Sequence, residues 1–190
     1  MALHLAPSSM ITLAWAGWGV SWIAASVWTR RTAARAGVAE WPSRVANFIG
    51  AVLVLAPTHN FSLGPEWDVR DDVAWAMFGV IVAGIAFAWW ARLHLGTLWS
   101  GSVTRKADPR NVDTGPYSIV RHPIYSGILA SAFATAIVRG EAGALAGAAL
   151  LSFGIWMKAR LEERFLSEEL GPGYAAYRAR VPMLVPFLRL

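Results

Sequence analysis

Five apolar runs, at about residues 10–29, 45–61, 73–95, 123–138 and 142–160, occupy about half of this 190-residue chain. At about 1.5 Å of rise per residue, runs of this length approach the ~30 Å thickness of a bilayer's hydrocarbon core. In lipid a single segment satisfies its backbone only as a helix. The runs therefore predict an all-α integral membrane fold, five transmembrane helices in one domain over 1–190. Composition agrees, since 15% of residues are charged and 56% hydrophobic, where a soluble domain carries roughly a quarter charged. Eleven Trp suit the membrane interface. The absence of Cys removes disulfides, thiolate zinc sites and a cysteine nucleophile. The first run has no basic segment before it, so no signal peptide is expected.

Charge sets the expected orientation. Arg30, Arg31, Arg35 and Arg44 follow the first run, against Glu40 alone, and Lys and Arg also follow the third and fifth runs. After the second run Glu66, Asp68, Asp71 and Asp72 outnumber Arg70. The positive-inside rule then puts the N-terminus outside, and the 96–121 loop and the C-terminal segment 161–190 in the cytosol. An Ala- and Arg-rich composition suggests a bacterial inner membrane. Runs four and five, separated by "RGE" at 139–141, predict a tight helical hairpin.

The loop ahead of run four ends in an unusual stretch, "GPYSIVRHPIYSG" at 115–127. Gly115-Pro116 reads as a turn, and Pro123 fits the first turn of a helix, which puts His122 at or near the N-cap. The positive end of that helix, with Arg121 beside it, suits an anion. Tyr117 and Tyr125 offer aromatic faces to a base or a cation. Gly127 lets a ligand or a neighbouring helix approach closely. A second polar cluster, "KARLEERFLSEEL" at 158–170, follows run five and carries Lys158, Arg160, Glu162, Glu163 and Arg164. The tail after it has Tyr174 and Tyr177 on one helical face, and Pro182 and Pro186 that forbid a long helix. It reads as an interfacial anchor, with Phe187 and Leu188 inserted, or as a lid.

These pieces, in this order, resemble the isoprenylcysteine carboxyl methyltransferase family and the related phospholipid methyltransferases. The matching residues are Gly115-Pro116-Tyr117, Val120-Arg121-His122-Pro123, Tyr125 and Gly127, then Glu162-Glu163 with Leu166, and Tyr174, Tyr177, Val181-Pro182 and Pro186. The resemblance implies a membrane methyltransferase that binds S-adenosyl-L-methionine in a cytosolic pocket built by the last two helices and the tail. It implies a lipophilic acceptor, isoprenylcysteine-carboxylate-like or another small lipid. Tyr117, Val120, Arg121, His122, Pro123, Tyr125, Gly127, Glu162 and Glu163 would bind the cofactor, with Arg121 and Glu163 catalytic. The methionyl carboxylate would lie by Arg121 and His122, with Glu162 or Glu163 accepting from hydroxyl or amino groups. An amine acceptor would need a base, for which His122 or a Glu is the candidate.

Two other functions stay open on the residues: an NADPH-dependent membrane reductase of sterol-reductase type, for which Arg105, Lys106 and Arg110 could meet a 2′-phosphate, and a non-catalytic lipid-binding membrane protein. His94, Trp99 and Ser100 lie near the expected ligand, with interfacial roles as the plainer reading. His4, His59 and the sequon Asn60-Phe61-Ser62 fall on the outer side. No spacing suggests a metal and nothing suggests nucleic acid. Gly79 with Gly84, or Gly143 with Gly147, offer faces for close helix contact within the chain or in a homo-oligomer.

Overall fold

The computed structural model describes residues 6–26, 32–35, 37–56, 63–99, 104–106 and 111–188. Its described residues contain five α-helices: α1 Pro7–Ala25, α2 Trp41–Leu55, α3 Asp71–Leu95, α4 Pro123–Arg139 and α5 Ala142–Arg180. They fall on the five apolar runs. Two of them, α5 and α3 with its 3-10 extension to Leu98, are long and apolar enough to cross a membrane. α2 and α4, at 15 and 17 residues, reach only ~22–26 Å. Large apolar side chains such as Val20, Ile23, Phe48 and Phe153 point outward, as lipid-facing side chains do.

Helix ends follow the expected chemistry. α2 begins at Trp41 rather than near 45, because Pro42 is accommodated in a first turn. α4 ends at Arg139 with Gly140 left-handed (φ 64°), and Glu141 leads directly into α5. That hairpin is fastened to the 63–70 stretch by Trp67 N–H to Gly140 O at 2.7 Å and Ala142 N–H to Pro65 O at 2.9 Å. Arg139 also pairs with Glu141 and donates to Val54 O.

The most extensive helix contacts are α2 with α5 and α3 with α4, more than between the hairpin partners α4 and α5. Glycines make both crossings close. A Cβ on Gly50 would lie 2.6 Å from Leu151 N and 2.8 Å from Gly147 O. Gly84 and Gly127 face each other across α3 and α4, beside Ser131, whose hydroxyl donates to Ile81 O at 3.1 Å and Gly127 O at 2.9 Å. Gly143 and Gly147, which the sequence offers for self-association, are covered by Leu63 and Leu53 of the same chain. α1 joins through Trp15 Nε1–H to Thr135 Oγ1 at 2.9 Å and an aromatic chain from Trp15 through Trp18 and Trp22 to Trp99.

The fold departs from an all-helical one in a short antiparallel ladder, β1 Thr32–Arg35 with β2 Thr104–Lys106. Extended backbone in two long polar connections satisfies its own donors by pairing. The ladder brings the α1–α2 and α3–α4 connections to the same end of the bundle. The other departure is α5, which runs well past its apolar part, 142–160, and bends at Gly171 (φ 54°) before Pro172. Its second half, from residue 161, is charged.

Candidate active site

At the ladder end of the bundle, three segments converge: the stretch before α4, the charged half of α5, and the residues after it. Gly115 opens a 3-10 turn, Gly115–Ser118, at φ 58°, and a Cβ there would lie 2.8 Å from the His94 ring. His94 itself stacks on Tyr117 and contacts Thr114 Oγ1 at 3.0 Å. Tyr117 is buried, and Val120 is wholly enclosed. His122 is the N-cap residue and Pro123 the first residue of α4, as the sequence predicts.

The imidazole of His122 leaves the cap and turns toward α5. Its Nδ1 lies 3.4 Å from Glu162 Oε2 and its Nε2 3.5 Å from Glu163 Oε1. Arg121 Nε donates to Glu163 Oε1 at 2.6 Å, and Tyr125 hydroxyl to Glu162 Oε1 at 2.6 Å. His122 and Tyr125 are nearly parallel, 5.6 Å apart, and Lys158 Nζ lies 5.6 Å from the Tyr125 ring centre. Two cations and two carboxylates thus form a compact quartet, with an aromatic plate beside it.

The tail holds this quartet from the far side. Arg121 N–H donates to Pro182 O at 2.8 Å and His122 N–H to Met183 O at 3.1 Å. Arg121 Nη1 donates to Arg178 O at 3.2 Å and to Val181 O, Ser126 hydroxyl to Leu184 O at 2.5 Å, and Tyr177 hydroxyl to Tyr117 O at 2.7 Å. Tyr174, Tyr177, Val181 and Met183 are consequently buried, while Phe187 is fully exposed. The residues after α5 therefore pack over the motif before Phe187 and Leu188 turn outward.

Electrostatics fix the protonation of the quartet. Burial pushes the Glu163 carboxyl up, but His122 and Arg121 outweigh it and hold the group at about 2. Glu162 is likewise held below the usual carboxylate range, with His122 and Lys158 overcoming burial. For His122 burial pulls the other way, and the hydrogen-bonding and charge of Glu162 and Glu163 win, raising its pKa. The expected base candidates are thus poorly suited to that role: the carboxylates hold protons weakly and the imidazolium holds its proton tightly.

Of the residues proposed from sequence, Arg121, His122, Glu162 and Glu163 meet in the quartet, with Tyr125 beside it and Pro123 and Tyr117 at its edge. Val120 points into packing. Gly127 does not face the site, because a Cβ there would overlap Gly84 O and crowd Ala88 of α3; its helix-contact alternative is the one realised. Arg92 had no signal in the sequence beyond its position at a helix end. It is almost completely buried, donates to Gly96 O at 2.7 Å and Ala25 O at 2.9 Å, and lies over Trp99. Arg105 and Lys106 fall in β2. His4, His59, the sequon 60–62, Ser100 and Arg110 lie outside the described residues.

A polar ligand would suit this site. His122 Nε2 and Glu163 Oε2 are buried and meet only long ion-pair contacts, with Glu163 Oε1 and Arg178 Nε respectively, each at 3.5 Å, so a closer polar partner would satisfy them better. Next to Glu163 opens a cleft of about 310 Å³, bounded by Arg160, Arg164, Ser167, Glu168 and Arg178. The cleft's buried carboxylate and cationic walls fit the charged parts of S-adenosylmethionine. No group of three or more metal-ligating side chains occurs among the described residues.

A helical membrane protein with a buried ionic site at one end of its bundle is the class defined so far, and sequence comparison makes it specific. Residues 76–168 match the isoprenylcysteine carboxyl methyltransferase (ICMT) family. Over that stretch the chain is similar to membrane methyltransferases of this family. It is 31% identical over 138 residues to methanethiol S-methyltransferase 1 of Bradyrhizobium diazoefficiens, covering 65% of this chain and 46% of the relative. Methanethiol S-methyltransferase 2 of the same organism is 34% identical over 152 residues, 80% and 48% of the two chains. A methanethiol S-methyltransferase of a Pseudomonas strain is 43% identical over 70 residues, 37% of this chain and 26% of that one. The chain spans about half the length of the first two relatives.

Proposed function

We propose that this chain is a membrane-embedded, S-adenosylmethionine-dependent methyltransferase whose acceptor is a small apolar thiol. The observation that carries the reading is the buried Arg121–His122–Glu162–Glu163 quartet, inside the family-matched region, with two polar atoms left for a ligand. The names of the relatives favour sulfur as the methylated atom. A lipophilic acceptor, isoprenylcysteine-carboxylate-like or another small lipid, is the runner-up. The charge pattern favours a cytosolic site at an inner membrane.

When bound, the cofactor supplies an electrophilic methyl group on a sulfonium. Glu162 and Glu163, both ionised, offset positive charge beside them, and the Tyr125 ring offers a face to a cation. Arg121, held by the carbonyls of Arg178 and Val181, fixes Glu163 in place, so positioning supplies most of the rate. With no strong base in the quartet, the acceptor thiol would lose its proton to solvent, the thiolate being favoured by the cation it approaches. Glu162, Glu163 and Tyr125 would hold the bound cofactor, which would supply the methyl group that the acceptor sulfur takes up.

The test is calorimetric titration of detergent-purified protein with S-adenosylmethionine, S-adenosylhomocysteine and NADPH, alongside dimethyl sulfide release from methanethiol. Binding of the first two with thioether formation is expected. Binding of NADPH alone, or of none of the three by folded protein, would overturn the reading. Cofactor binding with methylation of a lipid acceptor and none of methanethiol would replace the thiol by the runner-up.

A further inference from the structure

Arg121, the expected partner of the cofactor's carboxylate, spends Nε on Glu163 and Nη1 on the carbonyls of Arg178 and Val181. A different set of cations surrounds the adjoining cleft. Arg160, Glu163, Arg164 and Ser167 share one face of α5 at the i, i+3, i+4 and i+7 spacing, and Arg178 closes the cleft from beyond the bend. Glu163, only 2% exposed, lines this cleft and keeps its Oε2 without a hydrogen bond. Three guanidiniums and one buried acceptor make a site of two signs. A phosphate would satisfy the arginines but meet Glu163 and Glu168 as like charges. A simple amine would satisfy Glu163 but meet the arginines. A carboxylate and an ammonium one carbon apart satisfy both.

We propose that this cleft holds the α-amino-acid end of the methyl donor, with Arg164 and Arg178 facing its carboxylate and Glu163 Oε2 accepting from its ammonium. The inference rests on the cofactor assignment above. Arg178 is the movable wall: its Nε is 3.5 Å from Glu163 Oε2, ion-pair but not hydrogen-bond range, and its side chain is 42% exposed. Turning it toward a ligand carboxylate sacrifices no hydrogen bond to Glu163 and uncovers Oε2. The nucleoside end then lies toward His122 and Tyr125, where the transferred methyl must be presented.

Two nucleoside thioethers separate this subsite from the rest of the pocket: S-adenosylhomocysteine, which has the amino-acid end, and 5′-methylthioadenosine, which lacks it. Both are titrated into the full chain in detergent, for wild type, Arg164→Gln and Arg178→Gln, two exposed positions whose replacement leaves the core intact. Wild type should bind S-adenosylhomocysteine at least about tenfold more tightly, the scale of one charge-assisted hydrogen bond. Each variant should lose about tenfold in S-adenosylhomocysteine affinity and leave 5′-methylthioadenosine unchanged, with Arg164→Lys recovering part of the loss. Equal binding of the two compounds by wild type, or variants that weaken both or neither, would overturn the subsite while leaving the cofactor assignment standing. Failure of wild type to bind either would instead overturn the cofactor assignment, and the subsite with it.

Discussion

Replacing Glu163 by Gln keeps the side chain's size and removes the charge at the centre of the quartet. The carboxyl lies at about 2 in the folded chain against an ordinary 4.5. A gap of about 2.5 in pKa, at about 1.36 kcal/mol each, corresponds to ~3 kcal/mol of stability at neutral pH. That agrees with the ~3–5 kcal/mol lost when one partner of a buried ion pair is removed, and Arg121 and Glu163 have side chains only 7% and 3% exposed. Thermal unfolding of detergent-solubilised protein, followed by tryptophan emission, should show Glu163→Gln melting on the order of 6–12 °C lower at pH 7. Because the folded value is depressed, the carboxylate's contribution is complete above pH ~4.5 and disappears as pH falls toward 2. The gap between wild type and variant should therefore stay level from neutral pH down to about 5 and narrow below it. A deficit under about 2 °C at pH 7, or one that does not narrow in acid, would refute the buried-pair reasoning.

The sign reverses for His122. Its raised folded value means its contribution is complete below pH ~6.5 and fades as pH rises through that folded value. Wild type should lose stability on the alkaline side, and Glu162→Gln should begin that loss at lower pH, read from the same melts. Gly127→Val should overpack the α3–α4 crossing and cost about 1–3 kcal/mol, seen as a lower melting temperature and a poorer monodisperse yield in size-exclusion chromatography. Tyr177→Phe removes the donor to Tyr117 O and should cost about 1 kcal/mol. Its signature is faster amide exchange at Arg121 and His122, whose N–H groups the tail carbonyls cover. Tyr125→Phe should weaken S-adenosylhomocysteine binding by about tenfold with little change in melting, because the hydroxyl orients Glu162.

The sequence made the helices visible because lipid imposes length and apolarity on each segment separately, with no reference to its neighbours. Even the hairpin turn at Gly140 could be read locally. Partners across the bundle were not readable in this way. Gly127 finds Gly84, and Arg92 finds Ala25 O, because of how helices cross, and that information is spread over the whole chain. The same holds for Arg121 and Glu163, 42 positions apart, which only the family resemblance links in the sequence, whereas the close approach of their charges is a property of the fold. The bonding of Arg121 is hidden in the sequence for a related reason. A cation beside a helix N-terminus looks open to an anion until Val181 O and Glu163 are found already occupying it.

The two backbone hydrogen bonds from Arg121 and His122 to Pro182 and Met183 also impose an order on synthesis. Arg121 leaves the ribosome 60 residues ahead of Val181, roughly 3–12 s at 5–20 residues per second. During that interval the guanidinium and imidazole at the start of α4 have neither tail carbonyls nor, at first, their carboxylates. A released chain that ended before Val181 would have all five helices and an unfinished ionic centre. Insertion into the membrane and completion of the site are thus separate events, and a fusion or truncation reaching back to Val181 would spare the first while abolishing the second.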